Sequence, residues 1–184
     1  IGKDEEHNAV IKERRNGQGA EVAGVTVEGK VAYLSLVQLQ AGVTWQKSHY
    51  TRPEKWSKDS SVPAEKRIFR TPDWYGYFTA TYSPVKPLNI ALSGTYTGSM
   101  IVQHMKGYIP KDIAVTTPDF FDMNLKISYD FSLYKFITLQ LNAGIQNIFN
   151  AYQRDFDQGK ERDSGYIYGP SMPRSYFAGA KLMF

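Results

Sequence analysis

Between positions 121 and 131 the chain alternates without a break. Phe121, Met123, Leu125, Ile127, Tyr129 and Phe131 are apolar, and Asp122, Asn124, Lys126, Ser128 and Asp130 between them are polar. A helix would spread both sets around its circumference, whereas a strand puts one set on each face. The same period of two recurs at 88–98, where Leu88, Ile90, Leu92 and Tyr96 oppose Asn89, Ser93, Thr95 and Thr97, and at 137–146, where Ile137, Leu139, Leu141 and Ile145 oppose Thr138, Gln140, Asn142 and Gln146. Looser alternation marks strands at 22–28, 37–46, 74–82 and 176–184. Ala9 to Ile11 offers the end of an eighth strand before the turn signal Asn16-Gly17-Gln18-Gly19.

The connections narrow the architecture. Short links are expected near 29–33, 83–87 and 132–135, and long ones at 49–71, 99–118 and 149–173, in strict alternation. Loops of that length are uncommon in a compact soluble domain. A meander of antiparallel strands crossing a membrane has tight turns on one side and long loops on the other. Two all-β readings compete: a soluble sandwich or barrel with its apolar faces turned inward, and a membrane barrel that is inside out. Strand lengths of about ten residues match a tilted span of the hydrocarbon. Aromatics sit at both strand ends, Trp45 and Tyr96 on the long-loop side and Tyr82, Phe131 and Phe184 on the short-turn side, as a two-sided girdle requires. A chain with 14% aromatic residues and a mean hydropathy of -0.42 needs such a boundary to place its rings. These features favour the membrane barrel. Backbone groups in lipid must all pair, so the barrel must close, and seven strands do not supply the even number that closure of this kind uses.

Other classes fall away. No apolar run approaches the length of a transmembrane helix. The absence of Cys removes disulfides, thiolate metal sites and cysteine nucleophiles. The net charge of +4 is scattered, and the one basic cluster, Lys12, Arg14 and Arg15, is interrupted by Glu13 and follows Asp4, Glu5 and Glu6, so no nucleic-acid partner is expected. His7, His49 and His104 lie apart with no metal-ligand spacing, and no Gly-x-Ser-x-Gly elbow or phosphate-cradling loop is present. The chain is not expected to be an enzyme, nor to hold a cofactor or metal. Asp155, Asp157 and Asp163 are hard-oxygen groups, but their spacing does not match a twelve-residue calcium loop. The start at Ile1, without initiator Met, basic region or apolar leader, reads as the start of a fragment.

Several stretches resemble the carboxy-terminal part of the TonB-dependent outer-membrane receptors of Gram-negative bacteria. They are Gly24-Val25-Thr26-Val27-Glu28, Arg70-Thr71-Pro72-Asp73, Gly94-Thr95-Tyr96-Thr97-Gly98 and Asp122-Met123-Asn124-Leu125, then Asn142-Ala143-Gly144-Ile145-Gln146-Asn147-Ile148-Phe149-Asn150, Pro173-Arg174-Ser175-Tyr176 and the terminal Phe184. Thr26 stands where the family usually has Glu. The resemblance implies an antiparallel transmembrane β-barrel segment, seven or eight strands of a barrel of about 22, with short periplasmic turns and long extracellular loops. Residues 1–18 are then the end of a preceding strand or loop and 19–184 the carboxy-terminal strands. It implies a bacterial outer-membrane location and TonB-dependent uptake of a scarce solute such as a siderophore-iron complex or cobalamin. Energy would come from the TonB-ExbB-ExbD complex, acting through a plug domain outside these residues. The resemblance also implies the outer-membrane barrel assembly machinery and outer-membrane lipid as partners, and leaves open whether a surface lipoprotein caps the barrel. The alternative is a complete small eight-stranded barrel serving as an adhesin or structural anchor, which needs its eighth strand within the first eighteen residues.

Candidate ligand-binding residues are the rings and charges of the long loops: Tyr50 and Trp56, His104 and Tyr108, and Tyr152, Arg154, Asp155, Asp157, Arg162, Asp163, Tyr166 and Tyr168. A solvated loop with internal ion pairs explains the last group equally well. Gln40, Gln46, Asn89, Asn124, Lys126 and Asn142 fall on the polar strand faces, expected to line the lumen. Tyr176, Leu182 and Phe184 resemble the terminal strand read during barrel assembly.

Overall fold

The computed structural model describes residues 2–4, 9–11, 17 and 19–184, and among these there is no helix. Among the described residues, strands β1 (Gly2–Asp4) and β2 (Ala9–Ile11) pair with each other and not with the main sheet. Ala9 to Ile11, which the sequence offers as the end of an eighth strand, forms β2, whose described partner is β1. The remainder of 1–18 lies outside the described residues.

Next come β3 (Ala20–Tyr33) and β4 (Val37–Glu54), then the short β5 (Glu65–Arg67), and β6 (Trp74–Val85) with β7 (Leu88–Thr97). The small hairpin β8 (Ile101–His104) and β9 (Ile113–Thr116) precedes β10 (Phe120–Tyr134), β11 (Ile137–Gln146) and β12 (Ser175–Met183). The seven long strands follow the order β12-β11-β10-β7-β6-β4-β3, every pair antiparallel and consecutive in sequence apart from short inserts. The sheet is an open ribbon. No ladder joins β3 to β12 among the described residues.

Turns at 34–36, 86–87 and 135–136 gather at one end of the sheet, and loops at 55–73, 98–119 and 147–174 at the other. The first turn departs from expectation. Gly29 and Lys30 stay in the ladder opposite Ala41 and Gln40, and the chain reverses only after Tyr33, where Leu34 takes a φ of 51°. Period-two pairing through Val31 and Tyr33 outweighs the turn preference of one glycine.

Face assignment carries the most information. On β4 the polar-face Gly42 and Thr44 are buried, while on the apolar face Leu39 is 43% exposed and Val43 46%. Ile127 and Leu141 on β10 and β11 are exposed to the same degree. The buried apolar residues among those described are Ile101, Val102, Phe120 and Tyr166, all at the loop end. The sheet itself has no dry core. Burying apolar area stabilises by roughly 25 cal/mol per Å², so a sheet that leaves this face open needs an apolar surrounding to gain it.

The polar face is instead laced by side chains. The hydroxyls of Thr26 and Thr44 meet at 2.9 Å across β3 and β4. Tyr77 lies over Gly42, donates to Glu28 Oε1 at 3.2 Å, and accepts from Gln40 Nε2 at 3.3 Å. A Cβ at Gly42 would stand 2.7 Å from the Tyr77 ring, so the missing side chain is what lets the phenol cross the strand.

Candidate functional site

The three long loops are tied into one cap. Arg70, at the end of the first loop, takes a left-handed φ of 60° and donates its backbone N–H to the Ile101 carbonyl at 2.8 Å. Its guanidinium donates to the carbonyl of Ile167, at 2.7 Å, and to that of Gly165. One cation thus joins all three loops, using fixed planar donors that suit two carbonyls at once. The Ser57 hydroxyl of the first loop donates to Asp112 of the second at 2.5 Å, and the Lys106 N–H donates to the other oxygen of that carboxylate at 2.7 Å.

The second and third loops meet around His104. Its Nε2 lies 2.9 and 3.0 Å from the two carboxylate oxygens of Asp157, with only 8% of the imidazole and 2% of the carboxylate side chain exposed. The imidazole stacks on Tyr166 with centroids 3.7 Å apart and planes 7° from parallel. Asp157 also accepts the Asp163 N–H, and Asp163 accepts the Met105 N–H at 2.8 Å. Expected binding residues Asp157, Asp163, His104 and Tyr166 are brought together: the carboxylates of Asp157 and Asp163 hold the third loop to the second, and the Tyr166 ring stacks on the His104 imidazole.

Asp155 organises a second cluster. The phenols of Tyr166 and Tyr168 donate to its two oxygens at 2.8 and 2.7 Å. Burial acts against the charged carboxylate, but the two phenol hydrogen bonds outweigh it and hold Asp155 below the usual range. The same contacts act in reverse on the phenols. Burial first and the Asp155 carboxylate second push Tyr168 up to about 12, and Tyr166 moves further in the same direction. Gln153, 1% exposed, threads the loop by donating to the Tyr166 carbonyl and accepting the Tyr168 N–H.

Beside this cluster opens a pocket of about 230 Å³, walled by Phe120, Tyr152, Arg154, Asp155 and Tyr168. The Arg154 guanidinium sits 5.1 Å from the Tyr152 ring centre, and Phe120 and Tyr168 lie 6.0 Å apart. Rings for stacking, one cation and one anion face the same space. The remaining candidates are dispersed. Trp56 packs edge-on against Phe69 at 5.3 Å, Tyr50 lies on β4 opposite Ala20, Tyr108 is exposed, and Arg162 donates to the nearby Gly159 carbonyl.

On the polar face, Gln46 donates to the Pro72 carbonyl and Asn89 to the Ser83 hydroxyl, Asn124 accepts the Asn147 N–H, and Lys126 and Asn142 lie opposite Gly144 and Gly179 respectively. Tyr176, Leu182 and Phe184 are exposed along or beyond the edge strand β12. Phe120, Gln153 and Arg70 do site-building work that sequence reasoning did not assign. Only Arg70 carried a signal, inside the Arg70-Thr71-Pro72-Asp73 stretch.

No family model matches the chain, and no curated protein matches it in sequence. Solved structures match its shape. The ferric-catecholate import receptor Fiu of E. coli K12, in its closed form, superposes with a TM-score of 0.60 at 21% identity, over 89% of this chain and 21% of that one. The FpvAI–pyocin S2 complex gives 0.59 at 15% identity, over 89% and 19%. P. aeruginosa FpvA bound to heterologous pyoverdines gives 0.58 at 14%, over 89% and 20%. These neighbours are TonB-dependent receptors. The chain spans about a fifth of their length and has the fold of part of such a barrel.

Proposed function

We propose that the 19–184 strands are the carboxy-terminal wall of a TonB-dependent outer-membrane transporter, and that the loop cap is its extracellular mouth. The observation that carries this is the pairing of a coreless sheet, its apolar face left exposed, with a hydrogen-bonded cap at the loop end. A lipid surrounding explains the first feature, and capture of a solute before its passage along the polar face explains the second. The likeness to receptors for ferric catecholates and pyoverdines supports an iron chelate as the solute class.

In this reading the pocket of Phe120, Tyr152, Arg154 and Tyr168 grips the ligand. Gln40, Gln46, Asn89, Asn124, Lys126 and Asn142 face the lumen. A plug coupled to TonB-ExbB-ExbD supplies the movement, and β12, with Tyr176, Leu182 and Phe184, is presented to the assembly machinery.

The test uses the full-length protein in its own outer membrane. Uptake of radiolabelled ferric siderophores should require both this protein and an intact energising complex, and Arg154→Ala with Tyr152→Ala should weaken ligand binding at least tenfold. A mature product near 20.9 kDa that folds as a soluble monomer contradicts the proposal.

A further inference from the structure

We propose that a groove at the short-turn end of the sheet, where β10 outruns β7, seats the phosphate of one anionic phospholipid and lays an acyl chain along Tyr129, Phe131 and Leu133. The site presupposes the membrane reading of the apolar face and goes beyond it, because a bulk hydrocarbon surrounding needs no built groove. The space is about 550 Å³, between Lys86 and Pro87 of the β6–β7 turn and Tyr129 to Leu133 of β10.

The groove follows from unequal strand lengths. β10 pairs with β7 as far as Tyr129, which stands opposite Leu88, and the Asp130 N–H then donates to the Pro87 carbonyl at 2.8 Å. Beyond that bond β10 continues to Tyr134 with β11 as its remaining partner among the described residues. Backbone groups of an antiparallel strand point alternately to its two neighbours. Asp130 points towards β7, so the Ser132 N–H points the same way, to a place where no strand stands. The notch lies inside the sheet, between strands that are both present, and not at the β3 or β12 edge.

Its lining divides by chemistry. The rings of Tyr129 and Phe131, with centroids 4.6 Å apart, and the Leu133 side chain are exposed on the apolar face. Lys86 is exposed, and the ion pairs among the described residues leave it out. Asp130, the acid of the lining, belongs to the polar face, and its Oδ1 accepts the Gln140 amide at 2.7 Å. An ammonium and a spare backbone donor beside rings and a leucine select an amphiphile whose anion is joined directly to a hydrocarbon chain. A phosphate brings the acceptor oxygens and the opposite charge, and the chain covers the apolar side. The depth agrees, since aromatic rings at strand ends sit at headgroup level.

The test takes the full-length protein in a nonionic detergent and counts bound lipid by native mass spectrometry, with phosphatidylglycerol as the probe and a diacylglycerol of the same chains as its control. Wild type should retain phosphatidylglycerol at least fivefold better than diacylglycerol. Lys86→Gln should lower that retention at least threefold, and Lys135→Gln, on the neighbouring turn but outside the lining, should leave it unchanged. Equal losses in the two variants mean diffuse attraction to a basic rim and overturn the proposal. So does equal retention of the two lipids, which is solvation of the barrel by any chain. Displacement of the lipid by glycerol 3-phosphate at equal concentration overturns the part given to the acyl chain. A protein that inserts and transports but shows no lipid preference loses this site alone, whereas absence of energised uptake with the preference intact counts against the transport reading alone.

Discussion

Gly144 and Gly29 show how much one hydrogen atom in place of a side chain can decide. A Cβ at Gly144 would run into the Leu125 carbonyl oxygen and the Phe177 ring, whereas at Gly29 nothing lies within 4 Å. The ring can move, but the carbonyl belongs to the ladder. Gly144→Ala should therefore destabilise by about 1–3 kcal/mol, the usual range for overpacking, and lower the amount of heat-modifiable folded barrel on a gel, with Gly29→Ala close to wild type. Asp155 offers a second test at this scale. Tyr168 holds its proton up to about 12 against an ordinary 10, so the folded loop binds that proton more tightly than the unfolded one. Its contribution is complete below pH 10 and is lost as pH rises through 12. The tyrosinate absorbance lost in Tyr168→Phe should locate that step, and Asp155→Asn should bring it down towards 10 without reaching it, because burial remains.

At the scale of elements, period two in the sequence placed every long strand, since a strand with one apolar and one polar face has a register that cannot slip by one residue without exchanging them. The loops were legible only as loops. β5, β8 and β9 are three or four residues long, too short for alternation to register. The residues that knit the cap act through backbone carbonyls, as Arg70 does, or from full burial, as Gln153 does, and neither role leaves a pattern along the chain. Asp157 and Asp163 of the third loop were visible as candidates, but their hydrogen-bond partners lie more than fifty residues away or in backbone N–H groups, so their loop-tying contacts were not. Asn147 is the hinge of that loop. It is buried, takes a φ of 51°, and its amide holds Ala151 and Met172. Asn147→Ala loses both the tolerated left-handed conformation and the amide, while Asn147→Gly loses the amide alone. Both should speed protease cleavage within 147–174 in the folded protein, the alanine variant by several-fold more. His104→Ala should speed hydrogen exchange at the Met105 and Asp163 amides together, because the Asp157 carboxylate and the Tyr166 ring both lose their partner.

For the whole molecule, the deciding property is which way the sheet faces. In the proposed reading, further strands complete the ribbon at its β3 and β12 edges and hydrocarbon covers its open apolar face. Adjacent residues on β10 make the sharpest comparison, since Ile127 belongs to the apolar face and Ser128 to the polar one. An arginine near the middle of the lipid face costs about 2–4 kcal/mol, and much less on the lumen side. Ile127→Arg should accordingly fail to accumulate in the outer membrane, and Ser128→Arg should accumulate normally. The most direct measurement places a nitroxide label at each of these positions in turn, in the full-length protein reconstituted into liposomes, and compares collisions with oxygen, which concentrates in hydrocarbon, against a water-soluble nickel chelate. The account predicts oxygen-dominated relaxation at 127 and none of that lipid signature at 128. A reversed pattern, or a label at 127 shielded from both reagents inside a dry interior, contradicts it.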